Sequence, residues 1–168
     1  MSKRPSARRI NSDELNTYLN ADDDLTVVVR GYLCLEAALN VLLEHALPKG
    51  LSHLDELRFP ARVDLAVALG RLAPVEREAW LEVNQLRNVF AHDLDAQIDD
   101  ARARRLVACV PGNRRPSFMP PAPGVGPGNR AVVAWAIASL WSDAINRLWA
   151  DLASSGEELP GGVRRWGS

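Results

Sequence analysis

The sequence predicts an all-α fold, four or five helices packed as a bundle. Three observations predict it. Apolar residues recur every three or four positions in the long segments, prolines and glycines punctuate those segments, and no run alternates apolar and polar residues as a half-buried strand does. At 168 residues the chain suits one domain, which at this size buries roughly 68–70% of its unfolded surface. Apolar residues make up 47% of the chain and charged residues 24%, ordinary globular usage that excludes a globally disordered polymer.

The first ten residues carry Lys3, Arg4, Arg8 and Arg9 around Pro5 and read as a basic arm. Ser12 caps a short helix that runs through Asn16 to Leu19. The domain proper is expected over 20–155, with the arm and short helix at 1–19 and a flexible tail at 156–168. Its first long helix is predicted from Asp22 to Ala46, with Asn20 as N-cap and Asp22, Asp23 and Asp24 on the positive end of the helix dipole. Leu25, Val28, Tyr32, Leu35, Leu39 and Leu42 step by 3, 4, 3, 4 and 3, a seam of bundle type. Pro48 and Gly50 stop it.

Pro60 starts a second helix that Gly70 ends, and Pro74 starts a third, proline at the first helical position costing no helical hydrogen bond. The third helix turns Trp80, Val83, Leu86 and Phe90 to the core, with Glu76, Arg77 and Glu78 on an early outward turn. A fourth, about Asp99 to Val110, mixes Ile98, Ala101, Leu106 and Cys109 with Arg102, Arg104 and Arg105. Ten of the nineteen residues from Pro111 to Asn129 are proline or glycine, which no helix survives, so a Pro/Gly-rich loop over 111–129 precedes the last long helix. That helix runs from Arg130 to about Ala153 on a stripe of Val133, Ile137, Leu140, Ala144 and Leu148. Trp135, Trp141 and Trp149 lie partly off the stripe and suggest either ordinary core or a dimer contact.

A formal net charge of -1 argues against a protein that coats nucleic acid through overall basicity. Cys34 and Cys109 form no disulfide framework and no paired zinc motif, which suits a reducing cytoplasm. The longest apolar stretch, Ala131 to Trp141, falls short of the ~20 residues of a membrane span, and no apolar leader follows Met1. The expectation is a cytoplasmic protein with no membrane, no metal and no cofactor. His45 and His53 have no third ligand at metal spacing and read as surface or helix-end residues.

The informative segment is Leu86-Arg87-Asn88-Val89-Phe90-Ala91-His92-Asp93. An arginine, a polar residue directly after it and a histidine five positions downstream match the R-x4-H signature of the HEPN superfamily. The preceding stretch, Phe59-Pro60-Ala61-Arg62-Val63-Asp64-Leu65-Ala66-Val67-Ala68-Leu69-Gly70-Arg71-Leu72, looks like that family's helix-turn leading into the motif helix. Together with the Pro-rich stretch after Val110, it resembles in particular the mannitol-repressor-like branch. The similarity covers roughly 25–120. The resemblance implies a HEPN-type bundle that forms a homodimer and brings two motifs together. Many catalytic members are metal-independent endoribonucleases, whereas the mannitol-repressor-like branch is regulatory.

Cleaving RNA without a metal needs a base for the 2′-hydroxyl, an acid for the leaving oxygen and positive charge on the developing phosphorane. Histidine titrates near neutral pH and suits proton transfer; arginine offers a permanently charged fork of donors to phosphate. On the HEPN reading His92 is the acid–base group, Arg87 the phosphate clamp and Asn88 the orienting residue. Asn88 and His92 stack on one helix face, but Arg87 points about 140° away from His92. So Arg87 reaches around, the helix distorts at its end, or His92 works with the arginine of a second copy. The plainer alternative is that Arg87 and His92 favour the negative end of a helix, with Asp93 and Asp95 as ion-pair partners.

Glu36, Asn40 and Glu44 form a polar ridge on the first long helix, which either faces the site or, the plainer reading, is a solvated face. Arg102, Arg104, Arg105, Arg114 and Arg115 make the basic run best suited to an RNA backbone, the plainer alternative being a solvated arginine-rich face. Three functions follow as expectations: a ribonuclease of toxin or defence type acting on RNA; a non-catalytic regulator acting through a protein partner; and the helical partner, toxin or antitoxin, of a nucleotidyltransferase pair. Without a basic recognition helix, sequence-specific DNA binding is not expected, and control of transcription would be indirect.

Overall fold

Six α-helices, and no strand, are built by the residues that the computed structural model describes, 12–47, 54–93, 95–112 and 128–155. Helices α1 (Ser12–Leu19), α2 (Gly31–Ala46), α3 (Phe59–Ala68), α4 (Arg77–His92), α5 (Asp100–Cys109) and α6 (Gly128–Ser155) pack as a bundle around one core. The all-α reading is therefore the observed fold. Helix α2 lies against α6 and α3, α4 against α3 and α5, and α5 against α6. The expected loop over 111–129 and the basic arm fall almost entirely outside the described residues.

Because α6 is contacted from two sides, its apolar surface is wider than one stripe. All five expected positions are buried, and Val132, Ala136, Trp141 and Ile145 are buried with them. Trp141 is core; Trp135 and Trp149 are half-buried against the same cluster. Helix α1 belongs to the bundle rather than to the arm, since Leu15 is fully buried and α1 packs on α2 and α6.

Helix ends follow the punctuation. Pro60 stands in the first turn of α3, and Gly70 ends it with φ +69°, a left-handed conformation in which glycine carries no Cβ penalty. Asp99 caps α5 by accepting the Arg102 backbone N–H at 2.8 Å. The expected Asn20 cap is corrected. Asn20 donates its side-chain amide back to the Asn16 carbonyl at 2.8 Å, and the cap of the next segment is Asp23, which accepts the Thr26 N–H at 2.7 Å. That hydrogen bond lowers the Asp23 carboxyl below its usual range.

The first long helix is not uniform. Thr26–Arg30 forms a π turn that runs directly into α2. The wider turn adds a residue ahead of Tyr32, so the buried position preceding it moves from the α-spaced pair to Val27 and Val28. Leu25, expected in the seam, is 45% exposed for that reason. In α5, a regular helix, Ala103 is buried and the expected Ala101 is exposed.

Directly after the π turn, Gly31 of α2 packs closely on Ile137 of α6 and Leu19 of α1. A Cβ there would stand 2.9 Å from Ile137 Cδ1, 3.2 Å from Ile137 Cγ2 and 3.3 Å from Leu19 Cδ2. Ile137 is fully buried and has little room to move. Gly31→Ala is therefore expected to lower stability by about 1–3 kcal/mol despite the better helix propensity of alanine, read as a lower midpoint in urea with unchanged slope.

The outward turn expected for Glu76 is also corrected. Glu76 is 1% exposed, accepts the Ala73 N–H at 2.7 Å and pairs with Arg147 of α6 at 2.6 Å. Pro74–Glu76 forms a 3-10 turn ahead of α4, which puts the carboxylate at the third position after Ala73, where it folds back on the exposed N–H. Arg147 also donates to the Arg71 carbonyl at 3.1 Å, and Arg71 pairs with Asp151. This network ties the α3–α4 turn to the far half of α6.

The π turn and α2 together, Thr26–Ala46, are long and apolar enough by length and composition to cross a membrane. A stretch that long was not picked out by the sequence reading, which stopped at Ala131–Trp141. In the fold, half of it is buried against other helices, and it holds Glu36 in an ion pair with α3.

Candidate functional site

Helix α4 runs unbroken to His92, and Val83, Leu86 and Phe90 fix its inner face in the core. That anchoring settles how the motif residues emerge. Arg87 is half-buried at the flank facing α2, with its guanidinium carbon 5.2 Å from the centre of the Tyr32 ring. Its Nη1 donates to Asn88 Oδ1 at 3.1 Å. Asn88 is exposed, and His92, one turn further along the same face, is exposed in the last turn. The three side chains thus form a strip in which Asn88 stands between the cation and the imidazole.

The helix does not distort at its end: the Asp93 N–H closes the last turn on the Val89 carbonyl at 3.0 Å. Arg87 and His92 remain about 140° apart around the axis and about 7.5 Å along it. Nor do the following acids claim the histidine. Among the described residues no ion pair joins His92 to Asp93 or Asp95, and Asp93 Oδ1 instead accepts the Asp95 N–H at 3.0 Å.

Behind Arg87 lies a buried polar cluster that the sequence reading missed. Arg62 of α3 is 8% exposed, donates to Asn40 Oδ1 at 2.6 Å and pairs with Glu36. Its Nε is buried without a hydrogen-bond partner among the described residues. Glu36 and Asn40 are therefore the ligands of a buried cation and not a solvated ridge; only Glu44 of the three is exposed. The available signal was that Tyr32, Glu36 and Asn40 follow one another at helical spacing inside an otherwise apolar helix.

Tyr32 sits between the two arginines. Its ring packs at 4.9 Å on that of Phe59, over which Arg62 also lies, at 6.0 Å. Burial pushes the Tyr32 hydroxyl up to about 12, assisted by the Glu36 charge and opposed by Arg87 and Arg62. A folded-state value raised above that of the free side chain means the folded protein holds the proton more tightly. The associated stability is complete below about pH 10 and is lost as pH rises through about 12. Stability measured by urea unfolding is expected to fall between pH 10 and 12 and to fall less in Tyr32→Phe.

The basic run contributes less free charge than its composition suggests. Arg102 pairs with Asp99, Arg104 with Asp100 at 2.7 Å, and Arg105 with Glu82 at 2.8 Å while also donating to Gln85. Arg114 and Arg115 lie outside the described residues, as does His53. Arg30, Arg58 and Arg87 have no carboxylate partner among the described residues, and of these Arg87 alone stands beside the histidine strip. Cys34 and Cys109 are half-buried and outside any disulfide, and burial pushes the Cys109 thiol up, away from a thiolate nucleophile. No cluster of three or more metal-ligating side chains occurs among the described residues.

Comparison of the chain with models of known protein families, with curated proteins and with solved structures finds no match.

Proposed function

We propose that the chain is a HEPN-like, metal-independent endoribonuclease of toxin or defence type, with Arg87, Asn88 and His92 as its reacting strip and a second copy completing the cleft. The observation that carries this reading is the state of Arg87: a charged, half-buried guanidinium without a carboxylate partner among the described residues, hydrogen-bonded to Asn88, which itself stands one turn before the exposed imidazole of His92. An arginine held by a ring keeps its full charge and its donors for an incoming anion. On the neighbouring helix α5, by contrast, Arg102, Arg104 and Arg105 each pair with a carboxylate.

The chemistry assigned is transesterification. One imidazole takes the 2′-hydroxyl proton as the new P–O2′ bond forms, and the P–O5′ bond breaks as a proton is given to the 5′ oxygen. Since Arg87 and His92 of one helix diverge, the two-fold pairing of motifs supplies an imidazole on each side of the phosphate, one as base and one as acid. The guanidinium stabilises the charge that gathers on the non-bridging oxygens. On this reading Arg87 and its copy are the first phosphate ligands, and Arg102, Arg104 and Arg105, each sharing its charge with a paired carboxylate, are secondary to them.

Incubating the purified protein with single-stranded RNA in excess chelator tests this. Cleavage that leaves 2′,3′-cyclic phosphate and 5′-hydroxyl ends is expected. An intact RNA at micromolar protein removes the nuclease reading and leaves the regulator and the nucleotidyltransferase partner, which copurification of a stable protein partner separates from a free helical domain.

A further inference from the structure

We propose that Arg62 is a positioning residue for phosphate binding: by holding the Glu36 carboxylate it keeps the neighbouring Arg87 uncompensated and open to an RNA phosphate. The inference rests on Arg87 as the phosphate ligand and goes beyond it by explaining why that arginine is free.

Arg87 has no acid within a turn on its own helix; the positions three and four away are Asn84, Phe90, Val83 and Ala91. The carboxylate of α2 one turn after Tyr32, the ring on which Arg87 lies, is Glu36. Arg87 lies over the Tyr32 ring at 5.2 Å, that ring packs on Phe59 at 4.9 Å, and Arg62, which holds Glu36, lies over Phe59 at 6.0 Å, so the three charges gather on one aromatic pair. In that arrangement the carboxylate has two cations to choose from. Arg62 wins it because its guanidinium is buried and is held at a second point by Asn40 at 2.6 Å, with the Phe59 ring centre 6.0 Å away. A buried arginine without a carboxylate is strongly disfavoured, whereas half-exposed Arg87 is solvated without one. The pairing is therefore enforced by burial, and the free charge appears where solvent and substrate can reach it.

The test is binding of a fluorescently labelled single-stranded RNA carrying 2′-O-methyl groups, which cannot be cleaved by its own 2′-oxygen, measured by anisotropy at low salt. Arg87→Ala is expected to weaken binding about tenfold, the loss of one charge-assisted phosphate contact. Arg62→Met is expected to weaken it by a similar factor, since Glu36 then turns to Arg87. Adding Glu36→Gln to Arg62→Met is expected to restore binding to within about twofold of wild type, a coupling that packing damage does not produce. Far-ultraviolet circular dichroism confirms folding, and Arg62→Gln, which retains a donor for Asn40, takes the place of Arg62→Met should the latter not fold. Wild-type binding by the Arg62 variant alongside a weakened Arg87→Ala overturns the inference and leaves the phosphate reading standing. Equal weakness of Arg62→Met and its double variant overturns it likewise, assigning Arg62 to packing. Unchanged binding by Arg87→Ala overturns the phosphate reading and this inference together.

Discussion

His92→Ala is expected to slow RNA cleavage by about 10²–10⁴-fold, the range of a general acid–base group, while leaving the unfolding midpoint essentially unchanged. The separation of the two effects follows from position. His92 stands exposed in the last turn of α4, and Phe90 and Leu86, not the imidazole, anchor that turn. Removing an exposed side chain there changes stability by no more than about 0.5 kcal/mol. Arg87→Ala is expected to cost a similar factor in rate through loss of charge on the transition state. The double variant should be little slower than the worse single one, because groups acting on one phosphate act as a unit. Rates are read with chelator present and with folding verified on each variant. A His92→Ala protein that cleaves at the wild-type rate removes the assignment.

Glu76→Ala is expected to be the most destabilising single substitution outside the apolar core, at about 2–4 kcal/mol. Breaking a buried pair by removing one partner costs about 3–5 kcal/mol, and the lower figure reflects the Arg147 side chain, which keeps 25% exposure and recovers some hydration. The substitution also strands the Ala73 N–H, which loses its acceptor at the start of the 3-10 turn. Glu76→Gln retains that acceptor and is expected to lose about half as much. Replacing both partners, Glu76→Leu with Arg147→Met, is expected to recover most of the loss, since apolar substitutes for a buried pair are often neutral. Urea unfolding at neutral pH reads all three, and a Glu76→Ala midpoint equal to wild type contradicts the account of this turn.

The helices themselves were legible in the sequence because each carries a single strong period bounded by its own stop signals. Trp80, Val83, Leu86 and Phe90 declare the inner face of α4, and the structure buries all four. Gly70 and Pro74 mark the turn before it. What the sequence hid were features decided by a second helix. The period of Leu25, Val28 and Tyr32 continues smoothly on paper, but the π turn at Thr26–Arg30 breaks it so that Val27 and Val28 are both buried. Glu76 looks like one of three charged residues on a helix surface until Arg147, 71 positions later, supplies a buried partner.

The candidate site divides the same way. Arg87, Asn88 and His92 were visible because their spacing lies within one helix. Arg62 sat in plain sight in the stretch leading to the motif, yet nothing local distinguishes a surface arginine from one buried against Glu36 and Asn40. Conversely, Arg102, Arg104 and Arg105 gave a strong basic signal that carboxylates at Asp99, Asp100 and Glu82 largely cancel. Charge composition counts residues; ion pairing decides which of them present a field to a ligand.

The most direct measurement is a crystal structure of the protein with a single-stranded RNA blocked by a 2′-O-methyl group at the scissile nucleotide. A phosphate hydrogen-bonded to the Arg87 guanidinium, with a His92 imidazole from each of two copies within reach of its bridging oxygens, is the expected result. A backbone running instead along the α5 face at Arg102, Arg104 and Arg105, with Arg87 still closed on Tyr32 and Asn88, contradicts the account.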